Sequence, residues 1–174
     1  MVAGINWSFV AGHSWNVDHP ECLKKISWDD YEPLVNLSKH VFNTRKRSTY
    51  LKCPAHTDFL KNTFVFCAPF DLNINININI ETNSAEVFCD NIDQEIYESI
   101  IDTRFIPDAA GRKIKYPLLG IDWLVVLQST ESCLLQVLPA FMHHNDFTQK
   151  TVIIPGEYDI SKWTRPIETA FEIR

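Results

Sequence analysis

The chain has 174 residues, 45% of them apolar and 22% charged, a size and balance that suit one globular domain with a sizeable core. A formal net charge of −6 lacks the clustered Lys and Arg that a non-specific nucleic-acid binder needs, and five glycines are too few for a Gly-rich phosphate loop or a long flexible linker. The five cysteines, Cys22, Cys53, Cys67, Cys89 and Cys133, are odd in number, widely spaced and without a C-x-x-C pair, which argues for free thiols and against a disulfide scaffold or a zinc site.

Taken in chain order, Ile5 to Val10 reads as a short strand, and it lacks the basic start and long apolar run of a signal peptide. Asp29, Asp30 and Glu32 ahead of Pro33 read as a helix start, with Leu34, Leu37 and Val41 on one face. Lys39, Arg45, Lys46, Arg47, Lys52 and Lys61 make residues 39–61 locally basic. The plain reading is a solvated face; the sharper one is a patch for nucleic acid or an acidic partner.

The middle carries the clearest pattern. Phe64 to Ala68 is an apolar run broken by Pro69, and Leu72 to Ile80 then alternates Ile with Asn, so that one strand face is Ile and the other Asn. The plain reading of the Asn row is a solvent-facing strand surface; the sharper one is an unprotected edge, because an uncharged row does little to discourage edge pairing, with self-association into a homo-oligomer as its consequence. Ala85 to Cys89 reads as a strand, and Asp93 to Phe105 carries Ile96, Tyr97, Ile100 and Ile101 at helical spacing. Tyr116 to Ser129, Leu134 to Phe141, Thr151 to Tyr158 and Thr169 to Ile173 read as strands separated by turn-forming residues at Gly111, 129–132, Asn145-Asp146 and Pro155-Gly156. The expectation is a single mainly-β domain over residues 1–174, a β-sandwich of jelly-roll-like type with one or two short helices. The apolar alternation from Glu168 stops at Arg174 without a turn or a polar tail, as a natural terminus can; a fragment is the expectation. No apolar run approaches the roughly 18 residues of a membrane span. A host cytoplasm or a virion, rather than secretion, is the expected location.

His56-Thr57-Asp58, with His143 and His144 some way downstream, supplies the ligand types of a mononuclear non-haem iron site, two His and one carboxylate. The H-x-D pair is expected on a loop or strand end. Roughly 0.8 such H-x-[D/E] matches arise by chance at this composition, and His19-Pro20-Glu21 and His144-Asn145-Asp146 match as well. A 2-oxoglutarate-type oxygenase also wants a cation some ten residues past the distal His, where Ile153 and Ile154 stand; Lys150 and Arg165 are off that spacing. Cys53 near His56 and Cys133 near His143 are the cysteine–histidine pairs, but Pro54 restricts Cys53 to extended backbone, which is no nucleophile elbow. Cys67, Cys89 and Cys133 read as small core residues in strands. Glu131, Glu157, Asp159 and Glu168 are carboxylates whose pairing the sequence leaves open. Trp163, followed by Arg165 and Pro166, reads either as the anchor of a turn or as a ligand platform with Arg165 as an anion clamp.

Two stretches carry a resemblance. The run from Lys52-Cys53-Pro54 through Lys61-Asn62 to Pro69-Phe70-Asp71-Leu72 resembles the central motif of short uncharacterised proteins of marine tailed phages. Gly156 to Pro166, followed by Phe171-Glu172-Ile173, looks like the later motif of the same group. A more distant similarity is to a bacterial domain of unknown function with comparable Cys-Pro and acid-Trp segments. The resemblance covers about a third of the chain. It implies no reaction, and in its pattern Cys-Pro, Lys-Asn and Pro-Phe-Asp recur while His56 is not fixed. Its members continue past the Trp-Arg-Pro segment with another apolar strand. The expected role is therefore an accessory or structural phage protein that binds a protein partner without cofactor. The alternatives are an iron-dependent oxygenase using His56, Asp58 and His143 or His144, and a nucleic-acid binder using residues 39–61.

Overall fold

The computed structural model describes residues 5–9, 31–37, 53–79, 81–82, 84–104, 117–139, 145–163 and 165–174. The chain is mainly β, with twelve strands and three short helices among the described residues. It divides into two compact units, Ile26–Pro69 and Met1–Lys25 with Phe70–Arg174. No linker composition marks that division in the sequence.

In the Ile26–Pro69 unit, β2 (Leu34–Asn36) pairs antiparallel with β3 (Phe64–Phe66), with Val35 opposite Val65. The expected helix after Pro33 is thus a strand as far as Asn36. Pro33 fixes φ at a value that extended backbone shares with helix, and the partner strand decides between them. The Cys67 N–H donates to the Pro33 carbonyl at 2.9 Å and the Leu37 N–H to the Thr63 carbonyl at 2.8 Å, which lengthens the ladder at both ends. The Tyr31 hydroxyl donates to the Cys67 carbonyl at 2.6 Å. Val41 lies outside the described residues. Between the strands, α1 (Pro54–Lys61) begins with an extended Cys53 and with Pro54 in its first turn, where a missing N–H costs nothing. Leu60 on this helix is fully buried.

The larger unit is built on a four-stranded antiparallel sheet. Its order is β10 (Thr151–Ile153), β12 (Glu168–Ile173), β7 (Leu118–Asp122) and β6 (Ile101–Arg104). Period-two alternation puts Leu119, Ile121, Phe171 and Ile173 on one face as a buried cluster. Ile101 and Ile153, at the flanking positions opposite Ile121 and Phe171, extend it. Each such side chain fully buried stabilises the fold by about 1.5–3 kcal/mol.

Against this cluster pack Leu72, Ile74, Ile76 and Val87, the last three from the hairpin β4 (Ile74–Asn79) and β5 (Ser84–Cys89). Asn75, Asn77 and Asn79 are exposed, as the Ile/Asn alternation predicts. Asn79 Oδ1 closes the turn by accepting from the Glu81 and Thr82 N–H groups. Asn91 ties the open end, accepting from the Asn73 N–H and donating to the Asp71 carbonyl.

The segment with helical spacing from Asp93 is a helix only to Ile100. There α2 (Gln94–Ile100) passes directly into β6, because Ile101 and Thr103 find partners in Ile121 and Leu119. The expected single strand from Tyr116 to Ser129 is likewise two. β7 ends at Asp122, and β8 (Val125–Ser129) pairs with β1 (Ile5–Phe9) instead. The switch is made at Leu124, which has φ +56° and a fully buried side chain. Asp122 Oδ1 accepts the Leu124 N–H at 2.8 Å, and the Trp123 indole donates to Thr169 Oγ1 at 2.7 Å. A left-handed backbone at Leu costs energy, which burial and these bonds offset.

β9 (Leu134–Val137) pairs with β11 (Gly156–Asp159), Leu135 opposite Tyr158 and Val137 opposite Gly156. Thr151 to Tyr158 is therefore two strands on different partners, divided before Gly156 by Pro155. The Asn145-Asp146 segment opens a helix, α3 (Asp146–Lys150), through a reciprocal cap: Asn145 Oδ1 accepts the Thr148 N–H, and Thr148 Oγ1 accepts the Asn145 N–H. Phe147 of this helix meets Phe171 edge-on at 4.9 Å.

Candidate functional site

The larger unit carries a small open cleft of about 190 Å³ where β11 and β12 approach each other. Val137, Ile154, Pro155 and Ala170 give it apolar walls, and Tyr158, Glu168 and Thr169 give it polar ones. Pockets for drug-sized ligands run to about 300–1,000 Å³. This one has room for a single side chain.

Gly156 and Tyr158 share a strand face, and the Tyr158 ring folds back over Gly156, where a Cβ would touch it at 3.5 Å. The Tyr158 hydroxyl donates to the Glu168 carbonyl at 2.7 Å, which ties β11 to β12. Burial, and then the charge of Glu168, raise the Tyr158 phenol above its ordinary value. The Glu168 carboxylate leans over Gly120, where a Cβ would lie 2.7 Å from Oε1. Gly120 is thus the residue that gives that side chain room.

Trp163 meets Tyr158 edge-on at 5.0 Å. Its position comes from a tight turn: the Asp159 carbonyl accepts from the Lys162 and Trp163 N–H groups at 3.0 and 2.8 Å. The Asp159 carboxylate accepts from the Lys162 ammonium at 2.8 Å and from the Ser161 hydroxyl and N–H. The Lys162 bond first, then Ser161, hold the Asp159 carboxyl below its ordinary value. The Trp163 indole N–H is buried and has no hydrogen-bond partner among the described residues. Arg165 is exposed. The cleft escaped sequence reasoning, since its walls come from three separate strand ends; the Gly-x-Tyr spacing at Gly156 and Tyr158 was the one local signal.

The metal candidates fall elsewhere. His56 and Asp58 stand on α1 rather than on a loop or strand end, because Pro54 starts a helix there. Positions two apart on a helix do not share a face. The Asp58 carboxylate lies 3.4 Å from the Lys61 ammonium, and both are exposed. His143 and His144 lie outside the described residues, as do Lys39, Arg45, Lys46, Arg47 and Lys52 of the basic segment. Among the described residues, no three His, Cys, Asp or Glu side chains gather as metal ligands would.

Cys53, Cys67, Cys89 and Cys133 are free thiols. Cys53 is exposed at the start of α1, and the other three are half-buried. Burial, and then Glu32, push the Cys67 thiol up. Of the remaining carboxylates, Glu157 accepts from the Gln136 amide across β9 and β11 at 2.9 Å. No described helix is long and apolar enough to cross a membrane. Comparison with protein families, curated proteins and solved structures finds no match to this chain.

Proposed function

We propose that this chain is a non-enzymatic binding protein, and that its contact surface is the β9–β11 ribbon with the adjoining cleft. The carrying observation is the exposure of Leu134 at 61% and Leu138 at 47%, on and just past β9, with Ile154 at 39% on the cleft wall. Large aliphatic side chains held that far into water gain by being covered. The cleft takes one apolar side chain. Glu168 on its wall and Glu157 on the ribbon, in a chain of net charge −6, favour a partner with basic residues around that anchor. The resemblance to short phage proteins supports an accessory role of this kind. For the fold, we read the β4–β5 hairpin and the four-stranded sheet as the two layers of a β-sandwich, supported by the packing of Ile74, Ile76 and Val87 on Leu119, Ile121, Phe171 and Ile173.

The test is retention of a partner from the source cell by the wild-type chain and by two folded variants. Leu134→Asp is expected to lose the partner and Ser132→Asp, on the neighbouring exposed loop, to keep it. Equal retention by both variants contradicts this surface.

A further inference from the structure

We infer that β4 is a self-recognition edge, through which two copies of this chain join their hairpins into one continuous sheet. This goes beyond the partner-binding surface above and rests on different residues.

The ladder of the hairpin shows which backbone groups face outward. The Asp90 N–H donates to the Asn73 carbonyl at 3.3 Å, so residues 73 and 90 form a hydrogen-bonded pair. Antiparallel pairs alternate between bonded and non-bonded. Asn75, Asn77 and Asn79 therefore spend their backbone groups on β5, while those of Ile74, Ile76 and Ile78 turn to the outer edge. The other strand obeys the same rule. Val87, opposite Ile76, turns its carbonyl away from β4, and there the Tyr97 hydroxyl of α2 donates to it at 2.8 Å. The β5 edge is thus occupied at its centre by a side chain. Among the described residues, no strand pairs with the outer edge of β4.

Three properties of β4 select a second copy of itself as the occupant. Residues 72–80 carry no charge, so two copies meet without repulsion along the seam. Strict alternation makes the strand self-matching in an antiparallel register centred on Asn77, with Ile76 opposite the second copy's Ile78 and Asn75 opposite its Asn79. Each Ile–Ile pair then uses the backbone groups that point outward. The same register sets Glu81 opposite Asn73 and keeps the flanking acids Asp71 and Glu81 from facing each other. Finally, Ile78 is 39% exposed although it lies on the core-facing side of the strand. Pairing brings the second copy's Ile76 beside it. With the centre of the β5 edge taken by Tyr97, the expected product is a closed dimer and not a fibre.

Sedimentation velocity of the full chain over a concentration series tests this directly. The wild type is expected to show a reversible monomer–dimer equilibrium. Asn77→Lys sets like charges opposite each other at the centre of the seam and is expected to weaken association by roughly tenfold or more. A mixture of Asn77→Lys with Asn77→Asp is expected to recover it, and Ser132→Lys to leave it unchanged. Should Asn77→Lys fail to fold, wild-type amide exchange decides, because residues 76 and 78 are expected to gain protection as concentration rises. A monomer up to about 1 mM, a dimer indifferent to Asn77→Lys, unchanged exchange at residues 76 and 78, or assembly beyond the dimer overturns the inference.

Discussion

Tyr158 donates its hydroxyl proton to the backbone carbonyl of Glu168 across 2.7 Å, and this single bond joins two strands that belong to different sheets. Tyr158→Phe keeps the ring over Gly156 and against Trp163 but removes that bond. The expected loss is about 1 kcal/mol, measured by urea unfolding.

The same bond sets a pH dependence. Burial and Glu168 raise the Tyr158 phenol in the folded chain, so folding favours its neutral form. That stability is fully present below the unfolded tyrosine value, near pH 10, and is lost as pH rises through the higher folded value. The stability difference between wild type and Tyr158→Phe is expected to shrink above about pH 10. A difference that stays constant to the alkaline limit of folding contradicts the assignment.

The crossing of the chain from β7 to β8 hangs on Thr169, which is buried and accepts from the Trp123 indole. Thr169→Val is expected to cost about 1–3 kcal/mol by stranding that donor. Thr169→Ser keeps the acceptor and is expected to lose less. Equal losses would assign the effect to packing alone.

In the core, Leu119 is fully buried, whereas Leu134 is exposed on β9. Leu119→Ala is expected to cost about 2–5 kcal/mol. Leu134→Ala is expected to fall within about 0.5 kcal/mol of wild type. Paired thermal and urea unfolding separates them, and a large loss at Leu134 would remove it from the surface proposed for partner binding.

The described thiols differ in access. Cys53 is exposed, while Cys67 is half-buried with its pKa raised by burial and by Glu32. Limited alkylation with mass-spectrometric mapping is expected to label Cys53 well before Cys67.

Strand positions were legible wherever one face is buried and the other wet. The Ile/Asn alternation gave β4 its faces, and the alternation of Thr169, Phe171 and Ile173 gave β12 its own. Where two elements follow without a polar break, composition was silent. Ile100-Ile101 holds the end of a helix and the start of a strand, and only the partner strand β7 separates them. Leu124 breaks a run that reads as one strand, because its left-handed backbone is imposed by Asp122 and by burial rather than by a glycine. Pro33 and Pro54 show the same limit. Both fix φ, yet one leads into a strand paired with β3 and the other into a helix. That second outcome moved His56 and Asp58 from the expected loop to a helix. The cleft was illegible for a further reason: Val137, Tyr158 and Ala170 become neighbours only through tertiary structure.

Transition-metal content of the untagged chain, purified without chelator and again after anaerobic iron loading, bears most directly on a binding rather than an enzymatic role. Metal well below one equivalent in both preparations, and the same in His56→Ala, is the expected result. Stoichiometric iron that disappears on His56→Ala contradicts the binding reading and restores the oxygenase set of His56, Asp58 and His143 or His144.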